Sequence, residues 1–252
     1  MALLRSFQIS YYFVLFRITC SSHNNMKQQI ITLGGGGFST ESDPSLDEYI
    51  LRQARTAHPR IGFVPTASGD APAYLLKFYA RFAALDCMPT HLPFFDRTPD
   101  LREWAMAQDV IFVGGGNTKS MLAVWREYGF PAILKEALQS GTVLAGVSAG
   151  AMCWFEHGVT DSNAGVLAPL DGLGFLRGTC CPHYSHEPER RPAFEAFVRD
   201  EKLPAGVAVD DGAALHFIDG KPVRVVAGRA GAGAYLVSKQ GSVMLADSQS
   251  SQ

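Results

Sequence analysis

TVLAGVSAGAMCW, residues 142–154, changes character at a single residue. Thr142 to Val147 is apolar and continuous, and it predicts a strand buried on both faces. Ala149 onward predicts a helix running to about His157. Between them, Gly146-Val147-Ser148-Ala149-Gly150 matches G-x-S-x-G, a sharp strand-to-helix turn. Such a turn forces the serine into a strained backbone conformation and lifts its hydroxyl above the C-terminal edge of a sheet. Small neighbours avoid the clashes that this geometry creates. The competing reading is a glycine-rich turn in which Ser148 is an ordinary helix cap.

Outward from this turn, short apolar runs alternate with helical stretches. Gln29–Leu33, Arg60–Pro65, His91–Phe95 and Val110–Val113 predict strands. Ser39–Ala57 (capped by Ser39 or Ser42), Ala71–Ala84, Leu101–Ala107, Thr118–Tyr128 and Ala132–Gln139 predict helices. Beyond the elbow, Thr179–Cys181, Gly206–Val209, Ala213–Ile218, Pro222–Ala227 and Gly233–Val237 predict strands with few helices between them. Asp219-Gly220 marks a hairpin between two of these. The fold class expected is α/β: a three-layer sandwich with a mainly parallel central sheet and C-terminal antiparallel strands.

The chain has 252 residues and a formal net charge of −2, with no run of like charges. That balance argues against a nucleic-acid partner. Five cysteines, at 20, 87, 153, 180 and 181, form no C-x-x-C pair. They suggest neither a disulfide framework nor a zinc site, and point to a reducing, cytoplasmic setting. Residues 1–25 hold an apolar stretch, Ile9 to Phe16, too short to span a bilayer and interrupted by Arg17. They are expected to be an extension outside the fold, with a single domain over 26–246 and a frayed tail at 247–252. No membrane partner is expected, and both monomer and homodimer remain open.

A serine nucleophile needs a base, and the base needs an orienting acid. Of seven histidines, His183 has the best position, after a predicted strand and behind the stiff Pro182. His186 follows three residues on. For the acid, Asp210, Asp211 and Asp161 all stand open, with Asp210 and Asp211 on opposite sides of their strand. Gly114-Gly115-Gly116-Asn117 follows a strand and opens a helix. Its backbone N–H groups suit either an oxyanion hole completed by that of Ala149 or a phosphate cradle. A Walker pattern around Lys119 fails on spacing.

Ile31–Phe38 (ITLGGGGF), Val110–Thr118 (VIFVGGGNT), Ala145–Ala151 (AGVSAGA), Pro182-His183-Tyr184 and Val209–Leu215 (VDDGAAL) together resemble the peptidase E (aspartyl dipeptidase) and cyanophycinase family of serine peptidases. The resemblance spans Met26 to about Val237. It implies a class I glutamine-amidotransferase-like fold with Ser148 as nucleophile, His183 as base and Asp211 as acid. It also implies oxyanion donors at Gly116 and Ala149, a short peptide substrate cut near its N-terminus, and no metal or organic cofactor. Asn117, Arg190 and Arg191 are further candidates for substrate binding. The two arginines suit a bidentate grip on a substrate carboxylate, or else the solvated face of a helix ending near Val198. The order Ser…His…Asp opposes an α/β-hydrolase, although Asp161 or Asp171 with His216 would satisfy that order. An esterase on a related fold, or a non-catalytic binding module, are the other readings.

Overall fold

A computed structural model describes residues 26–246 apart from Ser42. The predicted extension, its His23 and Cys20, the cap at Ser42 and the tail at 247–252 lie outside the described residues. In chain order the elements are β1 (Gln29–Leu33), α1 (Ser45–Leu51), β2 (Arg60–Val64), α2 (Pro72–Phe82), β3 (Met88–His91), α3 (Leu101–Met106) and β4 (Val110–Val113). There follow α4 (Thr118–Glu127), α5 (Phe130–Gln139), β5 (Val143–Val147), α6 (Ala149–Met152), β6 (Phe155–Thr160), β7 (Ala168–Asp171) and β8 (Leu176–Cys181). The chain continues through α7 (Arg190–Arg199), β9 (Gly206–Val209), β10 (Ala213–Ile218), β11 (Lys221–Ala227), β12 (Ala234–Ser238) and β13 (Gly241–Met244).

The central sheet runs β11-β10-β1-β5-β4-β2-β3. The strands from β1 to β3 in that order are parallel, and β10 and β11 join antiparallel. Its strands alternate between two cores. Ile31, Phe63, Phe112 and Ala145 face the side covered by α1 and α2. Ile30, Val64, Ile111 and Leu144 face α4, α5 and a second sheet. The class is therefore α/β with a mainly parallel central sheet and antiparallel C-terminal strands.

The second sheet, ordered β13-β12-β9-β8-β6-β7, is not foreseen in the sequence. The elbow helix is much shorter than its pattern predicts. It ends at Met152, and Phe155–Thr160, with His157, is a strand instead. Phe155, Gly158 and Thr160 fit a strand as well as a helix, and pairing with β7 and β8 decides the matter. The predicted helix over Ser39–Ala57 also shrinks. Gly37–Ser39 is a 3-10 turn, and α1 starts at Ser45 with no side-chain cap. The third strand sits at Met88–His91 rather than His91–Phe95. The Asp219-Gly220 hairpin forms, both residues having positive φ.

Asp210-Asp211-Gly212 is the crossover from β9 in the second sheet to β10 in the central one. It is stitched to the loop after β1 by Gly34 N–H to Ala213 O (3.3 Å) and Gly212 N–H to Gly35 O (3.0 Å). Phe38 anchors the same loop from the other side, packed edge-on against Phe63 (5.3 Å) and Phe112 (5.2 Å) in the aromatic core.

Two buried titratable groups, Asp47 on α1 and His216 on β10 beside Tyr49 of that helix, oppose each other. Burial, with help from Arg224, lowers the His216 imidazole to about 4. Burial raises Asp47 to about 6, against the pull of the Phe38 N–H and Arg81. As pH falls from about 6.5 to about 4, the unfolded chain gains a proton on His216 that the folded chain refuses, so that contribution to stability is lost. Over nearly the same window the folded chain accepts a proton on Asp47 first, which adds stability. The two largely cancel. His216→Gln removes one side of the balance. Between pH 7 and 4.5, where the parent's stability stays nearly flat, this variant should gain about 2 kcal/mol from Asp47 alone, measured by denaturant unfolding.

Candidate active site

Ser148 sits at φ 55°, ψ −111°, a strained conformation for a residue with a side chain. Its backbone is held there by a bond from its N–H to Leu33 O at 3.1 Å. The flanking glycines are required by close approach. A Cβ on Gly146 would lie 2.2 Å from Gly150 O, and one on Gly150 2.1 Å from Val113 O. No side-chain cap bond is made by Ser148, so its hydroxyl is not spent on the helix that it opens.

The hydroxyl instead meets His183. Ser148 Oγ lies 2.8 Å from His183 Nε2, and His183 Nδ1 lies 2.6 Å from Asp211 Oδ1. His183, also at positive φ (55°), follows β8, and Asp211 follows β9. Parallel pairing of these neighbouring strands puts both residues at the same edge as the elbow. Burial pulls the Asp211 carboxyl upward. The His183 hydrogen bond and the nearby His183, His186 and Arg229 charges outweigh it, and the group is held below the usual carboxylate range. A hydroxyl, an imidazole and an ionised carboxylate in hydrogen-bonded series can take a proton from serine and stabilise the resulting imidazolium.

Of the other acids, Asp210 points the opposite way, as strand alternation predicts. It is buried and accepts from Ser185 N–H (3.1 Å), Gly233 N–H (3.1 Å) and Tyr235 O–H (3.2 Å). It braces the His183 loop rather than touching the imidazole. Asp161 pairs with Arg190 instead (3.6 Å). The Asp–His216 combination is also not formed. His216 is buried inside β10 with Nδ1 on Tyr49 Oη (2.9 Å), and Asp171 pairs with His157 (2.9 Å). His186 comes within 3.9 Å of the second Asp211 oxygen but does not reach Ser148.

A cavity of about 410 Å³ opens beside Ser148, His183 and Asp211. Its far wall is built by Ser39, Thr40, Tyr74 and Lys77. Gly115 lies against Ser148: a Cβ there would be 3.3 Å from that of the serine. The Gly115 N–H is taken by Tyr74 Oη at 3.3 Å. The Gly116 N–H has no acceptor among the described residues, and the Ala149 N–H opens α6, where no preceding turn can take it.

Asn117, Arg190 and Arg191 are not brought to this cavity. Asn117 caps α4, accepting from Ser120 N–H (2.9 Å) and donating to Ser162 O (3.1 Å). Arg190 is buried, with its guanidinium on Val159 O (2.9 Å) and Glu187 (2.5 Å). Arg191 stacks over Tyr184 (5.3 Å) and binds Glu195 and Ser242. Neither arginine lines the cavity beside Ser148, and Arg190, buried, is engaged by Val159 O and Glu187 rather than lying on a solvated helix face. The wall residues Tyr74 and Lys77 carry no motif; on α2 they read as ordinary amphipathic spacing.

Comparison with known proteins agrees with this architecture. The model of peptidase family S51 matches residues 30–225. The Bacillus subtilis (strain 168) protein named Uncharacterized peptidase YgaJ is 53% identical over 212 residues, covering 83% of this chain and 92% of that one. Peptidase E of Shewanella denitrificans is 30% identical over 181 residues, covering 67% of this chain and 75% of its own. Among solved structures, a peptidase from an acI-B1 Actinobacterium superposes with a TM-score of 0.69 at 18% identity, covering 89% of this chain and 96% of that chain. Among the described residues, no helix is long and apolar enough to cross a membrane.

Proposed function

The chain belongs to peptidase family S51, and from that premise we propose that it is a serine exopeptidase cutting short peptides near the N-terminus through an acyl-enzyme. The observation that carries the reading is the unbroken line from Ser148 Oγ through His183 to Asp211. His183 Nε2 takes the Ser148 proton as Oγ attacks the peptide carbonyl. The Gly116 and Ala149 N–H groups receive the oxyanion. His183 then gives its proton to the departing amine as the C–N bond breaks, leaving an ester on Ser148. Water attacks that ester, again losing a proton to His183, and the free acid leaves with Ser148 restored. Asp211 holds the imidazole with Nδ1 protonated, so Nε2 is free to accept.

A cavity of about 410 Å³ suits a peptide of few residues. The direct test is hydrolysis of a dipeptide library by the purified protein, with Ser148→Ala as the blank. A panel of aryl esters beside aminoacyl anilides separates peptidase from esterase chemistry. A folded protein that neither turns over peptides nor labels with a fluorophosphonate at Ser148 would instead be a binding module.

Gly35 offers a sharper check on the acid. Its φ is ordinary, so alanine is tolerated by the backbone, but the new Cβ would sit 2.3 Å from Asp211 Oδ1. That is the oxygen bonded to His183. Gly35→Ala should therefore displace the carboxylate and lower kcat by about 10²–10³-fold with the fold retained. Unchanged kcat would remove Asp211 from the mechanism.

A further inference from the structure

A short peptide bound for cleavage at Ser148 carries at least one carboxylate, at its C-terminus or on a side chain, and the arginines of α7 do not line the cavity that receives it. The cavity has its own cation. Lys77 is the one lysine or arginine lining the space beside Ser148, His183 and Asp211. Among the described residues its ammonium makes no ion pair. Its one hydrogen bond there runs from Nζ to Ser39 O at 3.1 Å. An ammonium has three N–H donors, so two remain. The nearest acid along the facing loop, Glu41, is turned to the Gly37 N–H (3.0 Å).

Tyr74 stands three residues earlier on α2, and residues so spaced are neighbours on a helix face. Both line the same cavity. The Tyr74 oxygen accepts the Gly115 N–H and also meets the Ser39 side chain, whose own hydroxyl is donated to Gly36 O (2.6 Å). Burial pushes the Tyr74 phenol above its ordinary range, so its proton stays on the oxygen. Ala71 and Ala73, small residues from the start of the same helix, keep the space before these two side chains open.

The geometry points to Lys77 and Tyr74 as a carboxylate-binding subsite, a specificity determinant that grips an anionic group of the peptide while its scissile carbonyl lies at Ser148. This rests on the peptidase reading above, and it adds the residues that choose the substrate. The ammonium supplies the charge and two open donors, and the phenol, held by Gly115 and Ser39, sets the polar wall beside it, so that one end of a short ligand is fixed. The carboxylate comes either from an acidic first residue or from the peptide C-terminus. The chemistry is shared, and substrates separate the two.

The test uses the full chain with Lys77→Met and Tyr74→Phe, both close to isosteric. The substrates are Asp-Leu, Asn-Leu and Leu-Leu, each with a free and an amidated C-terminus. For the peptide carrying the recognised carboxylate, KM should rise about 10–100-fold in Lys77→Met, and by less in Tyr74→Phe, with kcat changed little. A penalty confined to Asp-Leu in both terminal forms assigns the side-chain carboxylate. A penalty confined to free C-termini assigns the terminal one. A binding titration of the same peptides in the Ser148→Ala background gives the second measurement. There Lys77→Met should weaken the dissociation constant by a similar factor. Hydrolysis dependent on Ser148 but with equal KM in parent and Lys77→Met for every peptide overturns the subsite and leaves the peptidase reading intact. Binding that depends on Lys77, without hydrolysis of any peptide, overturns the peptidase reading and supports the subsite.

Discussion

Ser148→Ala is expected to lower kcat/KM on a cleavable short peptide by about 10⁴–10⁶-fold, the largest effect of any single change in the protein. The substitution deletes one oxygen at a position where space is already tight and a small side chain is preferred. It leaves intact the bond from the backbone N–H to Leu33 O that fixes the elbow. Binding should therefore persist while the acyl step is lost. In the proposed mechanism Ser148 and His183 act as one unit, so the double variant with His183→Ala should lose scarcely more than either single one. Steady-state hydrolysis and circular dichroism of the three variants check both points. A Ser148→Ala protein with full activity would transfer the chemistry elsewhere in the molecule.

Asp211→Asn should follow at about 10⁴-fold in kcat, with little change in stability. The carboxylate oxygen at 2.6 Å accepts the proton of His183 Nδ1 and so leaves Nε2 free to face the serine. An amide in its place can turn its NH₂ to Nδ1. The tautomer with the proton on Nε2 is then favoured, and that nitrogen no longer accepts from Ser148. The negative charge that stabilises the imidazolium also disappears. In the present protein that charge is well defended, because the bond to His183 and the nearby His183, His186 and Arg229 charges outweigh the effect of burial. Activity of the Asn variant equal to that of the parent would point to Asp210, the other acid at this crossover. The three bonds that Asp210 makes to Ser185, Gly233 and Tyr235 already argue against it.

The elbow was legible because its constraint is local. A strained serine between Gly146 and Gly150 is written in five consecutive residues, and the strand before it shows as an uninterrupted apolar run. The strands β1, β2, β4, β5, β9 and β10 were legible for the same reason. The elbow helix was over-extended because Phe155–Thr160 carries no periodicity that separates strand from helix; its partners lie elsewhere in the chain. The strands β8, β9 and β12 were foreseen one by one, but their gathering with β6, β7 and β13 into a separate sheet was not, since those partners lie in distant segments. Arg190 and Arg191 showed the right chemistry for a carboxylate, but burial and the acceptors around them are not visible in a sequence.

The sequence by itself determined the α/β class, the strand-end position of Ser148 and the set of histidines and aspartates from which its partners come, since strand propensity and turn sterics act over a few residues. The sequence position and the family resemblance favoured His183 and Asp211, but only the tertiary structure puts them, and not His216, Asp161 or Asp210, in one hydrogen-bonded line with Ser148, and Lys77 and Tyr74 along the same space. Those choices depend on which strands become neighbours. That pairing is fixed by burying both faces of the central sheet at once, a condition no single segment can satisfy alone.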